Sequence, residues 1–155
     1  MGFVGLIEVQ KGSPAKRGRY LALDYGVRRC GLAVSDPLGI IAGPLQAVST
    51  QELKDFLKDY LTRENVQGLV VGYALHKDGA EVEHERDLLK FIEWLKAQFP
   101  HVGIYRLDEK YTSRMAERSL LQAGARRKDR RAKENVDVVS AILMLQEFLN
   151  YYKEK

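Results

Sequence analysis

The chain has 155 residues, a formal net charge of +4 and a pI near 9.1, with 45% hydrophobic and 30% charged residues. That balance suits one soluble domain with a core of its own and excludes a disordered chain, while apolar runs too short to cross a bilayer set membrane roles aside. A single cysteine, Cys30, permits no internal disulfide and builds no zinc site, so a reducing cytoplasm is the simplest compartment, and the basic balance suits an anionic partner.

The opening "MGFVGLIEVQ" has an apolar run with no basic segment before it and no clear cleavage site, so it reads poorly as a signal peptide. Residues 1–18, Lys11 to Gly18 above all, are expected to form a flexible lead-in. "RYLALDY" and "CGLAVSD" read as two buried strands joined by the hairpin connection "GVRR". "DPLG" is a turn, and "IIAGPLQAV" a third strand interrupted at Gly43-Pro44.

The period then changes. Leu53, Phe56, Leu57, Tyr60 and Leu61 recur at helical spacing behind Ser49 and Thr50, both plausible N-caps. "GLVVGYAL" returns to a buried strand, and Leu88, Phe91, Ile92 and Leu95 mark one face of a second helix. "VGIYRLDEK" is a fifth strand, Thr112 or Ser113 caps a helix through "RMAERSLLQAG", and "ENVDVVSAILMLQEFLNYY" forms the last helix. The expected fold is α/β, β-β-β-α-β-α-β-α-α, with one domain over residues 19–150 and a tail at 151–155.

Three carboxylate positions invite convergence. Asp24 ends the first strand, Asp108 and Glu109 end the fifth, and parallel strands linked by helical crossovers gather ligands at their carboxyl ends. Asp137 heads a stripe of Ser140, Ala141, Met144 and Phe148 on the last helix. Each acid has a structural alternative: Asp24 as a turn residue, Asp108 paired with Arg106 or Lys110, Asp137 in a first helical turn favouring the dipole. Together they repel one another and call for a cation, and an oxygen-only set favours Mg²⁺ or Mn²⁺. Such an ion suits phosphodiester hydrolysis by activated water.

The other candidates are weaker. His76, His84 and His101 are scattered and read as surface or loop residues, Cys30 as packing, and Trp94 as helix packing with base stacking as the alternative. "ARRKDRRAK" is a basic connection suited either to solvent or to phosphate.

"ALDYGVRRCGLAVSDPLG", "VVGYALHKDG", "LDEKYTSRMAE" and "KENVDVVSAILMLQEFL", in this order, resemble the motifs of the YqgF-type Holliday-junction-resolvase-like family, whose bacterial members are candidate pre-16S rRNA nucleases. The resemblance spans about residues 19–150. It implies a ribonuclease-H-like fold with a five-stranded mixed sheet and the first strand central, and metal-binding acids at Asp24, Asp108 or Glu109, and Asp137. Arg126, Arg127, Lys128, Arg130, Arg131 and Lys133 lie just before Asp137, where they suit backbone phosphates; Arg28, Arg29 and Lys110 are further candidate contacts, as are Thr112 and Ser113, for which capping is the favoured role. Ala74 stands where the family often has proline, and Lys110 where it usually has arginine, which loses the planar fork. The expected activity is metal-dependent cleavage of structured RNA, most simply an rRNA precursor, by a monomer or homodimer. DNA-junction resolution and a non-catalytic nucleic-acid-binding module are the alternatives, and an actin-like phosphotransferase is disfavoured by the lack of a second phosphate loop.

Overall fold

A computed structural model describes residues 6–13, 18–73, 79–108 and 130–151. Strands β1 (Leu6–Gln10), β2 (Arg19–Asp24), β3 (Arg29–Ser35) and β4 (Ala42–Ser49) come first. A 3-10 turn (Thr50–Glu52) leads into α1 (Leu53–Arg63), followed by β5 (Val66–Tyr73), α2 (Gly79–Gln98), β6 (Gly103–Asp108) and α3 (Arg130–Tyr151).

The sheet has six strands in the order β1-β6-β5-β2-β3-β4, not the five expected. The additional strand lies inside the segment read as a lead-in, where Leu6–Gln10 pairs antiparallel with β6. Gln10 Nε2 donates to the carbonyls of Phe99 at 2.9 Å and Val102 at 2.8 Å, and the Ser13 amide donates to His101 at 3.0 Å. Such an edge strand is held by a ladder that only the tertiary fold supplies, so local pattern conceals it. The remaining order is as expected: β2 is central, antiparallel to β3 and parallel to β5, which is parallel to β6.

Strand alternation divides the interior into two layers. Leu21, Leu23, Cys30, Leu32, Leu69, Val71 and Ile104 pack against α1 and α2 through Leu53, Leu57, Leu88, Phe91 and Leu95. Tyr20, Ala22, Ala33, Val70 and Leu107 pack against α3 through Ala141, Met144, Leu145 and Phe148. Fully burying one such leucine or phenylalanine stabilises the fold by about 1.5–3 kcal/mol. Ser49 caps the turn into α1 by accepting from the Glu52 amide at 3.3 Å, while Glu52 accepts from the Ser49 hydroxyl at 3.1 Å.

Two local readings change. Ile40 and Ile41, expected in the third strand, lie before β4 and are exposed. Asp36 determines their path: its Oδ1 accepts from both the Ile40 and Ile41 amides at 2.7 Å, and the Ile41 bond above all holds its carboxyl below the usual range. Gly39, at φ +69°, completes the turn in a conformation that favours glycine. The last helix also begins earlier than expected, at Arg130.

Candidate metal and nucleic-acid site

Asp24 belongs to the sheet face covered by α3, because it continues the alternation of Tyr20 and Ala22. Its antiparallel partner is Gly31 on β3. A Cβ on Gly31 would stand 2.2 Å from the Asp137 carbonyl carbon and 2.5 Å from the Val138 amide nitrogen. Glycine is therefore what lets α3 rest its backbone on the sheet, and that close approach brings Asp137 to the residue beside Asp24. Asp24 and the Asp137 backbone, 113 positions apart by number, thus flank the same glycine.

Asp137 accepts from Arg29 Nε at 3.2 Å, an ion pair in which both side chains are about one-third exposed or less. Arg29 has the same pleat side as Gly31, so β3 presents a cation along the same face. The helix-dipole reading of Asp137 does not hold: α3 starts at Arg130, which places Asp137 about two turns inside it. Burial, first of all, pushes the Cys30 thiol up, and the nearby carboxylates of Asp24 and Asp137 push it further; Cys30 is buried packing, as expected.

Asp108 closes β6, with Tyr73 as its partner on β5. It stands two strands from β2, roughly 10 Å of backbone separation. Glu109, Lys110, Thr112, Ser113, Arg126, Arg127 and Lys128 lie outside the described residues, as does the helix expected through "RMAERSLLQAG". Arg130, Arg131 and Lys133, expected in a connection, belong to the first turns of α3. Among the described side chains no group of three or more His, Cys, Asp or Glu comes together.

The expected pairing of Asp108 with Arg106 or Lys110 lies outside the described side chains. Arg106 forms a two-pronged ion pair with Glu85 of α2, at 3.0 and 2.8 Å, with only 9% and 16% of the side chains exposed. Breaking a buried pair leaves an uncompensated charge, so Glu85→Ala is expected to destabilise the fold by about 3 kcal/mol, measured by denaturant unfolding. His84, expected at the surface, is instead partly buried and hydrogen-bonded to the Tyr25 carbonyl at 2.9 Å. Both sat in the sequence within "EVEHERD", where an acidic run disguised two inward-facing residues. Trp94 packs among Phe91 and Phe99, with Lys54 over its ring, on the face away from Asp24.

The turn that follows Asp24 is tied down by Thr50. Its hydroxyl donates to the Gly26 carbonyl at 2.8 Å, and its amide to the Arg28 carbonyl at 2.9 Å. Thr50, read as a helix cap, therefore acts on the hairpin that carries Arg28 and Arg29.

The profile of the family described as "RuvX: Holliday junction resolvase" matches residues 18–151. This chain belongs to that family. It is 45% identical over 136 residues to a protein of Amoebophilus asiaticus, covering 88% of this chain and 96% of the relative. It is 46% identical over 133 residues to one of Porphyromonas gingivalis, covering 86% and 96%. Both relatives carry the name "Putative pre-16S rRNA nuclease". A propionate kinase from Francisella tularensis, at 10% identity and a TM-score of 0.35 over 62% of this chain and 38% of its own, is too loose a likeness to inform the fold. Among the described residues of this RuvX-family chain, no helix is long and apolar enough to cross a membrane.

Proposed function

We propose that this RuvX-family protein is a cytoplasmic, divalent-metal-dependent nuclease that hydrolyses phosphodiester bonds in structured RNA, with the 5′ region of precursor 16S rRNA as its substrate. The observation that supports the reading is the close approach of the Asp137 backbone to Gly31, the strand partner of Asp24. Two like charges so placed are stabilised by a cation, and oxygen donors suit Mg²⁺ or Mn²⁺. When bound, such an ion supplies a lowered pKa for water and a counter-charge for the leaving oxygen.

The chain's own residues would do the rest. Asp24 and Asp137 hold the ion. From the "DE" pair at and after the end of β6, Asp108 or Glu109 would supply the third carboxylate. Arg29, now paired with Asp137, is placed to turn to a substrate phosphate once a cation neutralises that carboxylate. Arg130, Arg131 and Lys133 oppose the dipole at the start of α3, an arrangement relieved by phosphate, and Arg126, Arg127 and Lys128 precede them.

The deciding assay incubates the purified chain with a precursor 16S 5′-region RNA and with a four-way DNA junction, each with Mn²⁺, Mg²⁺ or chelator. Cleavage of the RNA alone, abolished by chelator, is expected. Symmetric cutting of the junction would instead favour the resolvase reading that the family's description carries. Binding with steep salt dependence and no cleavage under either ion would reduce the protein to a nucleic-acid-binding module.

A further inference from the structure

Asp24 and Tyr25 are adjacent but diverge. Asp24 belongs to the α3 face, while the Tyr25 ring packs on the opposite side between His84 and Phe91, with centroids at 5.4 and 5.3 Å. The carbonyl of Tyr25, in the peptide that leads on to Gly26, is bonded to His84 Nε2 at 2.9 Å, so the backbone is held one residue beyond the carboxylate. A carbonyl only accepts, so this imidazole carries its proton on Nε2. Nδ1 is buried and has no partner among the described residues, so a proton there would be an orphaned donor.

We propose that His84 is a positioning residue for metal binding: its Nε2–H fixes the Tyr25 carbonyl and thereby the aim of Asp24. Resting on the assignment of Asp24 as a metal ligand, the proposal completes a set of anchors. Thr50 holds the carbonyls of Gly26 and Arg28, and His84 holds that of Tyr25, so the turn is pinned at three carbonyls from two different elements. Of the three, His84 acts closest to the carboxylate. Glu85, the next residue, grips Arg106 two positions before Asp108, so the same stretch of α2 also fixes the β6 end. Partners that orient a metal ligand typically contribute about 10- to 100-fold to metal affinity when removed. Acting through the backbone of Tyr25, His84 is expected near the lower end.

The test compares the full chain with H84F, which keeps a ring against Tyr25 but loses the donor, and H84Q, which restores one. Mn²⁺ binding is followed by the electron paramagnetic resonance signal of free Mn²⁺, and cleavage is titrated with Mn²⁺. H84F is expected to raise the Mn²⁺ midpoint about tenfold in both measurements. H84Q is expected to fall close to the unaltered chain, and saturating Mn²⁺ to recover most of the H84F rate. A folded H84F with the unaltered midpoint would overturn the proposal. D24N separates the two levels: if it abolishes Mn²⁺ binding while H84F does nothing, only the role of His84 fails. If D24N binds Mn²⁺ normally, the ligand assignment fails and the proposal with it. Long-range ¹H–¹⁵N spectra of the unaltered chain give a check independent of folding of the variants, since a neutral Nδ1–H tautomer would also overturn it.

Discussion

Asp24→Asn is expected to reduce metal-dependent cleavage by more than about 100-fold, beyond the effect of losing a mere orienting partner of a ligand. Asp137→Asn should do the same, for the two act on one ion. Neither loss should come from unfolding. Asn keeps the size of Asp at this half-buried strand end, so a melting temperature within about 4 °C of the unaltered chain is expected for Asp24→Asn. Asp137→Asn also surrenders the Arg29 pair, a partly exposed bridge worth at most about 1 kcal/mol. That is a shift of roughly 2–4 °C for a chain of this size. Rates under saturating Mn²⁺ and thermal unfolding of the same samples check both halves. An Asp24→Asn protein that cuts at the unaltered rate would remove the catalytic assignment.

Gly31→Ala carries the largest expected cost to stability. The new methyl would fall within 2.2–2.5 Å of three backbone atoms of Asp137 and Val138, none of which can rotate away as a side-chain tip can. Helix α3 must lift from the sheet, at about 3 kcal/mol, the upper end of overpacking penalties. At this size that lowers the melting temperature by roughly 10 °C. Cleavage should fall more steeply than stability, because the displaced segment is the one that carries Asp137. Gly43→Ala is the control: its nearest neighbour would be the Val34 carbonyl oxygen at 4.0 Å, and a change under about 1 kcal/mol is expected. Equal effects of the two substitutions, measured by thermal unfolding, would refute the close-approach argument.

What the sequence made legible follows from how local each feature is. Leu53, Leu57 and Tyr60, or Leu88, Phe91, Ile92 and Leu95, lie buried on their helices because 3.6-residue periodicity survives any neighbour. Ser140, Ala141, Met144 and Phe148 are likewise buried. That Asp24 closes a central strand and Asp137 lies on the helix over the same sheet face was legible from a strand end and a helical stripe. The role of Gly31 was not, since a small residue in an alternating strand gives no sign of the helix backbone above it. β1 escaped because its pairing with β6 is wholly non-local. His84 and Glu85 escaped because polar residues on a charged helix face read as solvated until β2 and β6 are placed beside them.

Helix α3 gives this architecture a further property. It follows all six strands in the chain, and its 22 residues both close the core through Met144, Leu145 and Phe148 and deliver Asp137. A ribosome making this protein would extrude the sheet first, with Asp24 in place but no second carboxylate beside it. On the proposed assignment, the metal site would thus lack one of its carboxylates until the final helix docks, and the nascent chain would be inert throughout synthesis of the sheet.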